Sequence, residues 1–122
     1  MMRLLSVRTA AGVLLATSGF LFCTASQAAA TPSFDEAKAK ALFKRNDCGK
    51  CHAPDRDKKG PALQKISKEN KGKSDAEDKL VKQLTSSPKV KLLDNGKEEE
   101  HKAVDTKDVK EIKNLVAWIL AQ

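Results

Sequence analysis

Cys48-Gly49-Lys50-Cys51-His52 is the stretch on which the reading of this chain turns. Before it, Ser33 and Glu36 have capping-box spacing, and Phe34, Ala37, Ala41 and Leu42 share one stripe, which predicts a helix over residues 34–45. That helix ends near Asn46, directly ahead of the cysteines. After the motif, residues 53–62 carry Pro54, a run of charges and the Gly60-Pro61 turn signal, so they read as loop. Ser74 and Glu77 repeat the capping spacing around Ala76, Leu80, Val81 and Leu84, a second helix that stops before Pro88. Val90, Leu92 and Leu93 suggest a short extended piece ahead of the Asn95-Gly96 turn. The clearest helix is the last: Val109, Ile112, Leu115, Val116, Ile119 and Leu120 keep helical spacing, and Asp105 or Thr106 can cap it. With no repeat, no linker and no convincing set of strands, the expected fold class is all-α, short helices joined by long loops.

The first thirty of the 122 residues read as a cleaved secretory signal peptide, leaving one domain over residues 31–122. Arg3 and Arg8 lead into an apolar run from Ala10 to Phe22, and Ala28-Ala29-Ala30 supplies the small residues of a cleavage site. A membrane anchor is the rival reading. A span needs roughly 20 predominantly apolar residues, and this shorter run is interrupted by Thr17, Ser18 and Gly19. Phe22 is too bulky to precede a lipid-attached Cys23, so Cys23 is expected to leave with the signal. The expected location is the periplasm, without stable membrane insertion after cleavage.

Losing Arg3 and Arg8 leaves 21 Lys and Arg against 16 Asp and Glu, a net charge of +5. A basic surface suits nucleic acid, anionic membrane or an acidic protein; export makes nucleic acid the poorest of these. The core is thin. Leu, Ile, Val and Phe fill 18 of the 92 positions after Ala30, and Phe34, Phe43 and Trp118 are the only aromatics there. Such a composition lies near the limit at which burial offsets conformational entropy. Small exported domains often use disulfides, but Cys48 and Cys51 would close too small a loop to organise a fold. A large apolar cofactor fits the deficit.

Cys-x-x-Cys-His is also the pattern of haem c attachment. Two thiols three residues apart reach the two vinyl groups of one porphyrin as thioethers, while the adjacent imidazole reaches the iron. A structural zinc site would need a second ligand pair, and His101 stands alone far from His52. A thioredoxin-like dithiol would need the motif to follow a buried strand in a βαβ unit, and no parallel strands can be found.

With these residues in view, the chain resembles the class I bacterial monohaem cytochromes c over nearly all of residues 34–122. The likeness rests on the helix ending Ala-Leu-Phe-Lys-Arg-Asn, on the Cys48–His52 motif, on Gly60-Pro61-Ala62-Leu63, and on the closing helix through Trp118. It implies a small cytochrome c-like fold in which the first and last helices cross, with one haem in a pocket of loops and one edge exposed. It further implies that Pro61 offers its carbonyl to the proximal His52 ring, a common arrangement for a ligating histidine. A monomeric periplasmic carrier of single electrons, serving acidic redox partners, is the function implied. A peroxidase-like enzyme would want a second haem or a distal acid-base pair, so no enzymatic activity is expected.

One departure from that family matters. Its members usually supply a Met before the last helix as second axial ligand, whereas the only methionines here are Met1 and Met2. The remaining imidazole, His101, lies in the corresponding segment. Among Glu98, Glu99, Glu100 and Lys102 it could be a solvated surface residue. Iron's need for a strong-field ligand argues instead for His101 as distal ligand, with bis-His ligation and a low potential. The carboxylates are expected to favour protonated His101, so that acid detaches it. The alternative is a haem-based gas-binding or sensor protein with an open or displaceable sixth site. Lys50, Lys58 and Lys59, tied to the attachment loop, are expected to steer an acidic partner. Because haem completes the core, a Cys48→Ala, Cys51→Ala chain lacking it is expected to lose most helical circular dichroism; native-like helicity without haem would contradict this.

Overall fold

A computed structural model describes residues 33–122; the segment read as a signal peptide lies outside the described residues. Four helices make up most of the domain: α1 (Glu36–Arg45), α2 (Leu63–Asn70), α3 (Ala76–Thr85) and α4 (Val109–Leu120). A single 3-10 turn, Cys48–Lys50, follows α1, and a two-stranded antiparallel sheet, β1 (Lys89–Lys91) with β2 (Glu98–Glu100), lies between α3 and α4. Helix α4 is the hub, because α1, α2 and α3 all pack against it.

The reason is its apolar density. Leu115 and Val116 are fully buried, with Ile112, Trp118 and Ile119 nearly so, and they join Ala39 and Leu42 of α1, Leu63 of α2 and Leu84 of α3 in one core. Ala39 is fully buried, and its small side chain lets α1 lie close to its neighbours. Phe43 meets Trp118 edge to face, with centroids 5.4 Å apart. Polar clasps fix both ends of the α1–α4 pair. At the start of α1, the Asp35 amide donates to Asn114 Oδ1 (2.7 Å) and Asn114 Nδ2 donates to the Asp35 carbonyl (2.8 Å). At its end, buried Asn46 binds Asp105, just upstream of α4.

The helix boundaries follow the sequence pattern, but the caps do not. Asp35, not Ser33, caps α1 by accepting from the Lys38 amide, and Asp108 caps α4 through the Lys110 amide. Thr106 accepts from the Asp108 amide instead, and Asp105 is occupied by Asn46 and Arg45. Asp75 stands at the N-cap of α3 with no side-chain cap bond. Helix α2 was not expected at all, since only Leu63 and Ile66 mark its apolar side. The extended piece at Val90 acquires a partner in Glu98–Glu100, with Gly96 at φ 71° in the turn. This hairpin qualifies the all-α expectation without altering the helical architecture. None of the described helices is long and apolar enough to cross a membrane.

Candidate functional site

The motif is presented by a sharp reversal. Asp47 takes a left-handed conformation (φ 59°), tolerable for Asp, and turns the chain out of α1. The Cys48 carbonyl then accepts from the amides of Cys51 (3.1 Å) and His52 (2.9 Å). One turn thus brings Cys48 and Cys51 to one side with His52 beside them, and both cysteines are free and partly buried. Burial holds the Cys48 thiol above its ordinary pKa.

His52 is locked from two directions. Its Nδ1 lies 2.7 Å from the Pro61 carbonyl oxygen, which can only accept, so Nδ1 carries the proton and Nε2 keeps its lone pair. Gly60 lies against the ring: a Cβ there would fall 2.5 Å from His52 Cε1. The loop that delivers Gly60 and Pro61 is closed by the Gly60 amide on the Cys51 carbonyl and the Leu63 amide on the Ala53 carbonyl, each 2.9 Å. Asp57 accepts from the Ala62 amide (2.8 Å) and from Lys65, and that hydrogen bonding holds its carboxyl below the ordinary value.

The hairpin delivers His101. As the residue after β2, it donates its amide to the Pro88 carbonyl (2.8 Å), while the register sets Lys89 opposite Glu100 and Lys91 opposite Glu98. Its ring centroid lies 6.2 Å from that of His52, with the planes tilted by 48°. Burial, and then the proximity of the second imidazole, His52, push the His101 pKa down, partly offset by the backbone of Lys102 and Gln83. This corrects the expectation that neighbouring carboxylates favour its protonated form. Glu98, Glu99 and Glu100 are exposed on the hairpin, and none of them acts on His101.

The distance discriminates between arrangements. Two imidazoles sharing a direct hydrogen bond of about 3 Å would have centroids roughly 5 Å apart. Two metal–nitrogen bonds of about 2 Å each, plus the ring half-widths, span roughly 6 Å. The observed 6.2 Å suits an ion between the rings. His101 Nδ1 is also buried without a hydrogen-bond partner among the described residues, an expensive condition that a group bound through that nitrogen would relieve.

The competing chemistries fit poorly. No group of three or more His, Cys, Asp or Glu that could hold a metal ion occurs among the described residues, against a structural zinc site. A dithiol centre needs a depressed thiol pKa and a preceding strand, whereas Cys48 is raised and follows α1. The family model for cytochrome c matches residues 36–122. The chain belongs to the cytochrome c family. Among solved structures it is similar to the class 1 cytochrome MtoD from Sideroxydans lithotrophicus ES-1, at 46% identity and TM-score 0.69, over 73% of this chain and 97% of that one. Comparison with curated proteins gives no match.

The cytochrome therefore has the small cytochrome c fold, one covalently bound haem c with its iron, and the role of an electron carrier. Beside its attachment loop an open groove is lined by Lys50, Asp57, Lys58, Lys59, Leu93 and Asp94. Of the three lysines expected to steer a partner, Lys50 pairs with Asp47 (3.2 Å) and Lys58 donates to the Gly49 carbonyl. Only the Lys59 ammonium lacks such a partner among the described residues. Sequence reasoning missed Asp57, and read Gly60 only as a turn signal. In the holoprotein Gly60→Ala should cost about 1–3 kcal/mol by overpacking the His52 ring. Gly49→Ala, whose Cβ meets only Phe43 at 3.6 Å, should cost far less. Thermal unfolding of the two variants checks this.

Proposed function

We propose that this cytochrome is an exported, low-potential, single-electron carrier that holds its haem through Cys48 and Cys51 and its iron through His52 and His101. The separation of 6.2 Å between the two imidazoles carries the reading. The haem supplies an iron that cycles between ferric and ferrous states. The rest is the work of the chain. Pro61 fixes the His52 tautomer and makes the ring a stronger donor, while burial disfavours the charged form of His101, which could not donate. With no Met beyond Met2, the ligand pair that raises reduction potentials is absent, and two imidazoles favour the ferric state.

Residues 1–30 act as the export signal, and the net charge of +5 that remains suits an acidic redox partner met in a brief encounter of a monomer. Lys59, exposed beside the groove, is the steering residue best placed for it.

Carbon monoxide separates this reading from a gas sensor. The reduced wild-type protein should resist it at neutral pH, whereas His101→Ala should turn high-spin and bind it rapidly. His101→Met should raise the potential on the order of 0.1 V, a fraction of the ~0.8 V that axial ligands command. Rapid binding by the wild type would favour the sensor.

Acid gives a second check. The folded environment lowers the His101 pKa below the ordinary imidazole value of 6.5, so a released ring takes up a proton more readily than the held ring does. Stability rises with pH across the window between the lowered value and 6.5, and the contribution of neutral His101 is lost as pH falls through it. Absorption spectra on acidification should show a change from low to high spin before unfolding. A low-spin spectrum persisting to the unfolding point would contradict the reading.

A further inference from the structure

The segment from His101 to Asp108 belongs to neither a helix nor a strand, yet it carries the proposed distal ligand. At its start it is held by two backbone bonds, His101 to the Pro88 carbonyl (2.8 Å) and Val104 to the Leu84 carbonyl (2.9 Å). At its other end the fastening is made by side chains from the residues just before Cys48.

Asn46 is 3% exposed, and its whole amide is used. Nδ2 donates to the Leu42 carbonyl and to Asp105 Oδ1, both at 3.0 Å, and Oδ1 accepts from the Asp105 amide at 2.9 Å. The Asn46 backbone amide already closes the end of α1 on the Leu42 carbonyl (3.2 Å), and two of the three side-chain bonds go to a residue 59 positions away. Arg45 adds its Nε to the same Asp105 carboxylate at 3.0 and 3.1 Å. Next along the chain, Asp47 pairs with Lys102 at 3.6 Å, beside His101, and with Lys50 inside the motif at 3.2 Å.

These fasteners differ in strength. An exposed ion pair such as Asp47–Lys102 contributes little. A buried amide whose partner is removed leaves polar groups unpaired, which is far more costly. Asn46 is therefore the main closure.

We infer that Asn46 is a positioning residue: its reciprocal bonds to Asp105 form a latch that joins the thioether-bearing segment to the distal-ligand segment and sets how readily His101 leaves the iron. This rests on the reading of His101 as distal ligand. Local opening of the latch lets the strap from His101 to Asp105 swing away while α1 and α4 stay packed, a sub-global opening rather than unfolding. The iron's accessibility to outside ligands then depends on opening this buried amide together with the backbone bonds of His101 and Val104.

The test uses holoprotein with two readouts: the rate of carbon monoxide binding to the ferrous form, and hydrogen exchange at the Asp105 amide. Asn46→Ala should speed both about 10- to 100-fold, the factor expected from leaving a buried polar group unpaired. Asp105→Ala keeps the backbone bond to Asn46, so it should move both in the same direction by less; it carries the test if Asn46→Ala fails to load haem. Asn114→Ala removes a similar clasp at the far end of α1 and should leave both rates near wild type, compared at equal distance from each melting point. Wild-type rates in Asn46→Ala, or an equal acceleration in Asn114→Ala, would overturn the latch. Wild-type protein that binds carbon monoxide as fast as His101→Ala overturns the ligand reading instead. The exchange rate at Asp105 then reads the clasp alone: faster exchange in Asn46→Ala supports it and unchanged exchange removes it.

Discussion

Under the proposed ligation, two imidazoles must be held one metal ion apart by a chain that buries few large apolar residues, and the architecture is consistent with that constraint. His52 and His101 come from segments with little secondary structure of their own, yet their rings face each other at 6.2 Å. The holding is unequal. His52 has a hydrogen-bonded tautomer, a glycine against its ring and a loop closed by backbone bonds, whereas His101 follows an exposed three-residue strand of the hairpin. A rigid proximal side and a strapped distal side follow from where the backbone bonds fall.

The hub helix explains why so small a core suffices. Helix α4 gathers α1, α2 and α3 around Leu115 and Val116, which leaves the loops free to surround a cofactor instead of packing on one another. A haem enclosed by those loops would supply the apolar area that the side chains lack. The ion pairs among the described residues are exposed, and half of them, such as Lys40–Glu36 and Lys79–Asp75, join residues within four positions, so they adjust solubility and encounter more than stability.

Periodic features were legible in the sequence. The stripe in α4, the helix before Cys48 and the turn at Asn95-Gly96 are local patterns, and they appear where the pattern places them. Helix α2 escaped because a run such as Gln64-Lys65-Ile66-Ser67-Lys68 has too few apolar positions to show a period. The strand Glu98–Glu100 escaped because three glutamates have no intrinsic preference for a sheet and pair only because β1 offers lysines opposite. Caps were misassigned because Ser33, Ser74, Asp105 and Thr106 are all competent cap residues, and tertiary partners decide among them. His101 could be singled out by elimination, since no Met follows Met2. Asn46 could not, because nothing local marks an asparagine whose partner lies 59 residues on.

The central claim is that two imidazoles share the iron. It is tested most directly by electron paramagnetic resonance of the ferric holoprotein at neutral pH, with histidine nitrogens isotopically labelled and His101→Ala alongside. A low-spin signal with hyperfine coupling to two imidazoles, replaced by a high-spin signal in the variant, is the result expected. A high-spin wild type, or a low-spin signal indifferent to loss of His101, would contradict it.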